Sequence, residues 1–591
     1  MPTVINRLKR AGSLREKTQF HNPKKTALVL CLLIIIPIII QIKPTSAATL
    51  RVPSQYPRIT DAVNAALTGD TIEVDPGVYY ENNMVIESTI TALSIIGANP
   101  TTTIIDGMGN GTIFDIDGTN VYITRFTLRN AGTRNAIASE KPGPSASNDY
   151  HRIINNIITT NGYGISLGLS NRNTIFNNTF INNPIGGITL TSCANTNITG
   201  NIIKDSAYGV KLYNSPTNTI ASNQITLTSY GVHLSGTSTD VTIRNNVLAG
   251  RTAGVYSSSA TTTIERNTII DGSTAIYLQS TSATINYNKI TNSSYGIRLY
   301  YASATTTSHN IRNNKITDSD WAIEATYSYG NTFKANWIQD NTYGIYMAFC
   351  YSNTFYQNNF IQNTVQTAAG TGTNTWSSGG LGNYWSDYKG VDANGNGIGD
   401  TPYLVSPIGQ DNYPLMRTWS EHDIAVLSVT PSTNEANPGT TVTVTVTVRN
   451  NANISVSETF TVTAKYNNTI IGTQQVTALA QSATRNLIFN WNTTGVAPGN
   501  YTINAEASTV PDELNTKNNK LTDGVVRIRQ PLIGDINGDG TVNDQDLALL
   551  VQAYGATPSS PNWNPNADLN KDTVIDAHDL RILGQNYGAT G

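Results

Sequence analysis

Cysteine is scarce: Cys31, Cys193 and Cys350 are the only three in 591 residues. So few cannot staple a chain of this length, which must be held by a continuous apolar core instead. Basic residues are also scarce beyond the first 48 positions. There Arg7, Lys9, Arg10, Arg15, Lys17, Lys24, Lys25 and Lys43 face Glu16 alone, so of the formal net charge of -3 that stretch carries +7 and the rest -10. An acidic body without Lys/Arg clusters excludes nucleic acid as a partner, because phosphate recognition rests on such clusters.

The basic start leads into an apolar run over 26–40 and then Thr45-Ser46-Ala47-Ala48. Charged, apolar and small-residue regions in that order read as an export signal over 1–48. An uncleaved anchor is the alternative, since 27–42 is only slightly short of a bilayer span, and a buried core helix the third. Export places the protein outside the cell or at its surface, with membrane contact only through this segment.

What the chain has is a repeat. Asn recurs at 156, 178, 201, 223, 246, 267, 288, 314, 336 and 358, and a second marker, Gly164-Ile165 through Gly209-Val210 to Gly344-Ile345, keeps step. A period of about 22 residues, rich in β-branched side chains and without helical spacing, fits one turn of a parallel β-solenoid. Alternating pairs such as Val210/Leu212 and Ile297/Leu299 would point inward. The Asn residues would stack at the turns and hydrogen-bond along the axis, a structural role. Cys193 and Cys350 fall seven coils apart, roughly 34 Å at the strand spacing, too far for a disulfide. Ile59, Ala62, Val63 and Ala66 have helical spacing and suit an N-terminal cap, while 131–150 reads as a protruding loop. With these repeats the stretch resembles the NosD-like, or CASH, family of carbohydrate-binding proteins and sugar hydrolases, which implies a right-handed parallel β-helix over 49–420.

The outward position after each marker reads Ser166, Thr189, Lys211, His233, Tyr256, Tyr277, Arg298, Glu324 and Tyr346 along the axis, with Tyr213 and Tyr300 two residues on. Aromatic rings beside charged groups make this strip the candidate glycan-binding surface. The plainer reading is that outward strand positions favour such residues anyway. Hydrolysis would need two carboxylates about 5–9.5 Å apart. Asp205, Asp271, Asp318, Asp320 and Asp340 fall at turns, and Glu324 stands alone on the strip. A polysaccharide lyase or glycoside hydrolase in a cellulosome-like assembly is therefore the alternative to a binding protein.

The repeat gives way to Asp392-Ala-Asn394-Gly-Asn396-Gly-Ile-Gly-Asp400 in a segment that resembles the ending of archaeal NosD-like surface proteins. Oxygen ligands alternate there as in a calcium loop without a terminal acid; a weak or structural calcium site and a plain Gly/Asn turn are both open. Over 421–530 long alternating runs such as Thr441-Val-Thr-Val-Thr-Val predict an antiparallel β-sandwich. Asp423-Ile-Ala-Val and Pro511-Asp-Glu-Leu-Asn-Thr-Lys-Asn-Asn519 make it resemble the CARDB module, with a spacer role first and adhesion second.

Residues 531–591 carry two calcium-loop patterns 33 residues apart. Asp535, Asn537, Asp539, Asn543 and Asp546, with the Thr541 carbonyl, form one; Asp568, Asn570, Asp572, Asp576 and Asp579, with the Val574 carbonyl, form the other. Each precedes an apolar helical segment, and the second has Thr573 where Gly would suit the turn. The pair closely resembles a type I dockerin, a small α-helical module. That resemblance implies Ca2+ and a cohesin-bearing partner, chosen through loop positions 10 and 11: Asp544, Gln545, Ala577 and His578.

Overall fold

The computed structural model describes residues 47–140, 147–258, 261–279, 282–301 and 308–590. The export or anchor segment, with Cys31, lies outside the described residues. From Thr49–Val52 the chain winds as a parallel β-solenoid, one sheet of which stacks fourteen strands up to Thr354–Tyr356. A representative coil places Asn197–Thr199, Ile202–Lys204 and Tyr208–Tyr213 in succession around the axis. Each pairs in register one coil on, as Ile198↔Ile220, Ile203↔Ile225 and Val210↔Val232, and all six of these side chains are fully buried. A buried aliphatic side chain contributes about 1.5–3 kcal/mol, so the stacked columns are the main source of stability.

The corners explain both sequence markers. Just before each column Asn stands a left-handed residue, such as Asn177 (φ 52°), Ser222 (φ 56°) or Ala335 (φ 55°). The Asn that follows closes the turn: Asn201 donates from its main-chain N at 2.9 Å and from Nδ2 at 3.0 Å to Asn223 Oδ1, and from Nδ2 to the Ile175 carbonyl at 2.9 Å. Every member donates to its successor, through Asn358 and Asn383, until the column ends on Asp411 Oδ2. The glycine of the second marker is required by close approach: a Cβ on Gly209 would lie 2.3 Å from the Ile225 side chain and 2.6 Å from the Gly231 carbonyl.

Helix α1 (Ile59–Ala65) covers the first coils with Ile59, Ala62 and Val63, its first N–H groups held by Glu81 at 2.9 and 2.7 Å. At the other end Trp376 and Trp385 stack on Phe355 and Phe360 at 4.5 and 4.3 Å and close the core. Cys193 and Cys350 are free and buried. The loop expected over 131–150 is corrected for its first part: Thr127–Glu140 is one long strand paired with Ile157–Gly168. Its small residues allow coils to approach rather than mark a loop; a Cβ on Gly132 would meet the Gly109 carbonyl at 2.3 Å. Residues 141–146 lie outside the described residues.

The sandwich packs a three-stranded antiparallel sheet (Ile424–Pro431, Thr441–Asn450, Thr484–Asn492) against a five-stranded one whose main strands are Glu458–Tyr466, Thr469–Leu479, Gly499–Ala507 and Lys520–Ile528. It rests on the solenoid rather than trailing from it. Glu421 takes bonds from Lys334 Nζ (3.1 Å), Asn313 Nδ2 (2.8 Å) and Tyr287 Oη (3.3 Å), while Arg266 pairs with Asp512 and Lys315 reaches the Leu514 carbonyl. Helices α2 (Asp544–Gln552) and α3 (Ala577–Asn586) follow, each opened by a reciprocal capping box, Asn543 with Asp546 and Asp576 with Asp579.

Candidate functional site

Parallel register sets the strip: Lys211, His233, Tyr256, Tyr277, Arg298, Glu324 and Tyr346 are consecutive partners on one face. Tyr213 and Tyr300 lie in the column two residues on, Tyr213 nearly half exposed. Sequence reasoning missed a parallel column just before the second marker, Tyr208, Tyr230, Tyr295, Trp321 and Tyr343, which Ala253 and Thr274 interrupt for two coils. The recurring Tyr-Gly was its signal. Within the columns Tyr208 stacks on Tyr230 at 5.5 Å, His233 on Tyr256 at 4.8 Å and Trp321 on Tyr343 at 3.9 Å; between them His233 meets Tyr208 and Tyr230 edge to face at 5.2 Å, and Trp321 meets Tyr346 likewise at 5.2 Å. Lys211 sits over Tyr208, and Arg298 lies over Tyr295 and Tyr277 while paired with Glu324. Burial, then the nearby Lys211 charge, pushes His233 down to about 4, so at neutral pH it offers an uncharged ring. The stacked rings spend a face on a neighbour, leaving edges, hydroxyls and end faces for a ligand. Of the acids weighed for catalysis, Asp205, Asp271, Asp318 and Asp340 occupy left-handed corners and Glu324 is engaged by Arg298.

In the C-terminal module both loops share one hydrogen-bond pattern. Asp535 accepts from the N–H groups of Asp539 (3.0 Å) and Gly540 (2.8 Å), Asn537 from Asp539 (2.9 Å), and Asp539 from Thr541 (2.9 Å). Asp568, Asn570 and Asp572 do the same with Asp572, Thr573 and Val574. The fully buried Asp546 and Asp579 accept from the residues just after the first Asp of their loops, Ile536 at 2.7 Å and Leu569 at 2.8 Å. The Asp392 loop repeats the pattern: Asp392 accepts from Asn396 and Gly397, Asn394 from Asn396, and Asn396 from Ile398. Asp400 there accepts from Ala393 at 2.8 Å, which is what Asp546 does three positions later in its own loop.

Among the described residues no three His, Cys, Asp or Glu side chains are grouped to hold a metal by themselves. In each loop amide and main-chain oxygens would have to complete the set, which suits a hard cation that takes such oxygens. The four expected partner-binding residues open the two helices at equivalent ends. Gln545 accepts from Asn537 at 3.1 Å, Asp544 from the Tyr587 hydroxyl, and exposed His578 contacts Asp576 at 3.1 Å beside Ala577.

Fold and loops together define a modular β-solenoid protein with a C-terminal dockerin. A family model described as periplasmic copper-binding protein (NosD) matches residues 63–252, 235–311 and 256–390, more than half of the chain, and the chain belongs to that family. The CARDB model matches 421–523 and the dockerin type I domain 533–586; the dockerin supports attachment to a cohesin partner. No curated protein matches the chain. Among solved structures, the A-module of mannuronan C-5 epimerase AlgE6 from Azotobacter vinelandii is 16% identical, covering 54% of this chain and 92% of that one at a TM-score of 0.37. A CARDB domain from Pyrococcus furiosus in complex with di-metal ions is 28% identical, with 19% and 92% covered and a TM-score of 0.16. A putative cell surface protein domain from Methanosarcina acetivorans is 27% identical, with 19% and 96% covered and a TM-score of 0.16. The copper of the family's description finds no ligand set among the described residues: Cys193 and Cys350 are buried thiols pushed up to about 11, chiefly by burial, and no His or Cys group of three gathers.

Proposed function

We propose that this is an exported protein, extracellular or at the cell surface, whose solenoid (49–420) holds a glycan along the aromatic strip and whose dockerin (531–591) tethers it to a cohesin-bearing partner. The in-register aromatics of this face, in contact as one group from Tyr208 to Tyr277 and another from Trp321 to Tyr346, are the observation that carries the glycan reading. Sugar contact is spread over several coils, because each interlocked ring offers only part of its surface. In a glycan array of the full chain, Tyr256→Ala with Tyr277→Ala should lose most retention, while either single change loses little. Release of reducing ends or unsaturated products would overturn pure binding in favour of a lyase or hydrolase.

Calcium fills both dockerin loops through the ligands named above, and the Asp392 loop, which shares their hydrogen-bond pattern, takes it more weakly. Cohesin capture should be lost with chelator and in Asp535→Ala with Asp568→Ala; capture unaffected by either would count against the calcium role.

A further inference from the structure

The sandwich does more than precede the dockerin, for it grips one of the two loops. Arg529, just past the last sandwich strand, donates from Nη1 to the main-chain oxygen of Asp539 at 2.7 Å, and Asn437 Nδ2 donates to that of Gly538. Glu435 aims the guanidinium, accepting Nε at 3.1 Å and Nη2 at 2.7 Å, and so balances its charge beside a loop meant for a cation. The held carbonyls belong to loop positions 4 and 5, whereas the main-chain ligand of such a loop comes from position 7, here Thr541. The two side chains fix the loop's shape without bonding any of its ligating oxygens.

Nothing comparable supports the second loop. Among the described residues no sandwich side chain bonds to it. Its positions 4 and 6 are Lys571 (φ 61°) and Thr573 (φ 73°), where the first loop has Gly538 (φ 74°) and Gly540 (φ 86°). The left-handed region strains a β-branched residue and costs glycine nothing.

We propose that Arg529 and Asn437 make the first loop a latch: they hold it in its ligating shape, so calcium binds it more tightly and in turn locks the dockerin onto the sandwich. The second loop fills more weakly and independently of the sandwich. This rests on the calcium reading of the loops given above. Linkage makes the effect mutual, since whatever the sandwich adds to calcium affinity calcium adds to sandwich contact.

Calcium chloride titrated calorimetrically into the metal-stripped full chain should show unequal steps. Arg529→Ala with Asn437→Ala should weaken the tighter step about tenfold, the worth of roughly two net hydrogen bonds, and leave the weaker one alone. Thr573→Gly should tighten only a weaker step. Limited proteolysis within 530–533 should be blocked by calcium in the parent and not in the double variant. Identical titrations and cleavage for parent and double variant would overturn the latch and leave the calcium reading standing. A parent that binds no calcium would overturn both. If the double variant fails to fold, Glu435→Gln decides: a weakened tight step supports the latch and an unchanged one overturns it.

Discussion

Asp411 shows how one side chain ends a structure of many coils. Every Asn in the column donates onward, so the last acceptor must bring no donor of its own. A carboxylate meets that condition: Asp411 Oδ2 accepts from the Asn383 main chain (2.7 Å) and Trp385 Nε1 (3.0 Å), and Oδ1 from Tyr413 N (3.0 Å). In Asp411→Asn either orientation sets an N–H against an N–H. That substitution should cost about 1–3 kcal/mol, read as a lower denaturation midpoint. Histidine gives a pH test at the same scale. Burial pushes His309 down to about 4, as burial and Lys211 do His233. The folded state therefore binds fewer protons than the unfolded between about pH 6.5 and 4, and stability falls as pH drops through that window. Melting at pH 7 and pH 5 should show a smaller loss in His233→Phe with His309→Phe than in the parent.

Elements were legible where a period wrote them. The Asn and Gly-Ile markers gave the coils, their strands and the corner role, because parallel stacking makes each coil meet the same neighbour as the last. Gly209→Val, driven into the Ile225 side chain and the Gly231 carbonyl, should destabilise by about 1–3 kcal/mol in a denaturant titration. Where stacking tolerates variation the sequence misled. Small residues in Thr127–Glu140 looked like a loop although they line a close coil approach. Most of the aromatic column beside the second marker was visible as a recurring Tyr-Gly but carried no expectation of ring contact. Asn383 and Asp411 were hidden because the last steps of their column fall outside the 22-residue spacing. In the dockerin, oxygen spacing gave both loops, yet the bond from Arg529 joins two modules that share no pattern.

At the scale of the molecule, the sandwich and solenoid are held by contacts between residues 80 to 250 positions apart, which no local reading reveals. Although burial alone would raise it, bonds from Lys334 and Asn313 hold the Glu421 carboxyl below its usual value. The contact therefore has its full strength above the ordinary value of 4.5 and weakens as pH falls through the lower folded one. Partly exposed pairs are individually worth little, so Glu421→Ala with Asp512→Ala is the telling variant. Small-angle scattering should show a larger radius of gyration for it than for the parent at neutral pH.

The forward-donating column also bears on reach. Because each Asn meets an identical acceptor, excising residues 179–201 would rejoin Asn178 to a coil that offers the same bond and the same strand register. One coil is worth about 4.8 Å of rise. The span between the capping helix and the tether is thus a ruler graduated in whole turns, and gain or loss of a repeat would move a held ligand by a counted step without redesigning either end.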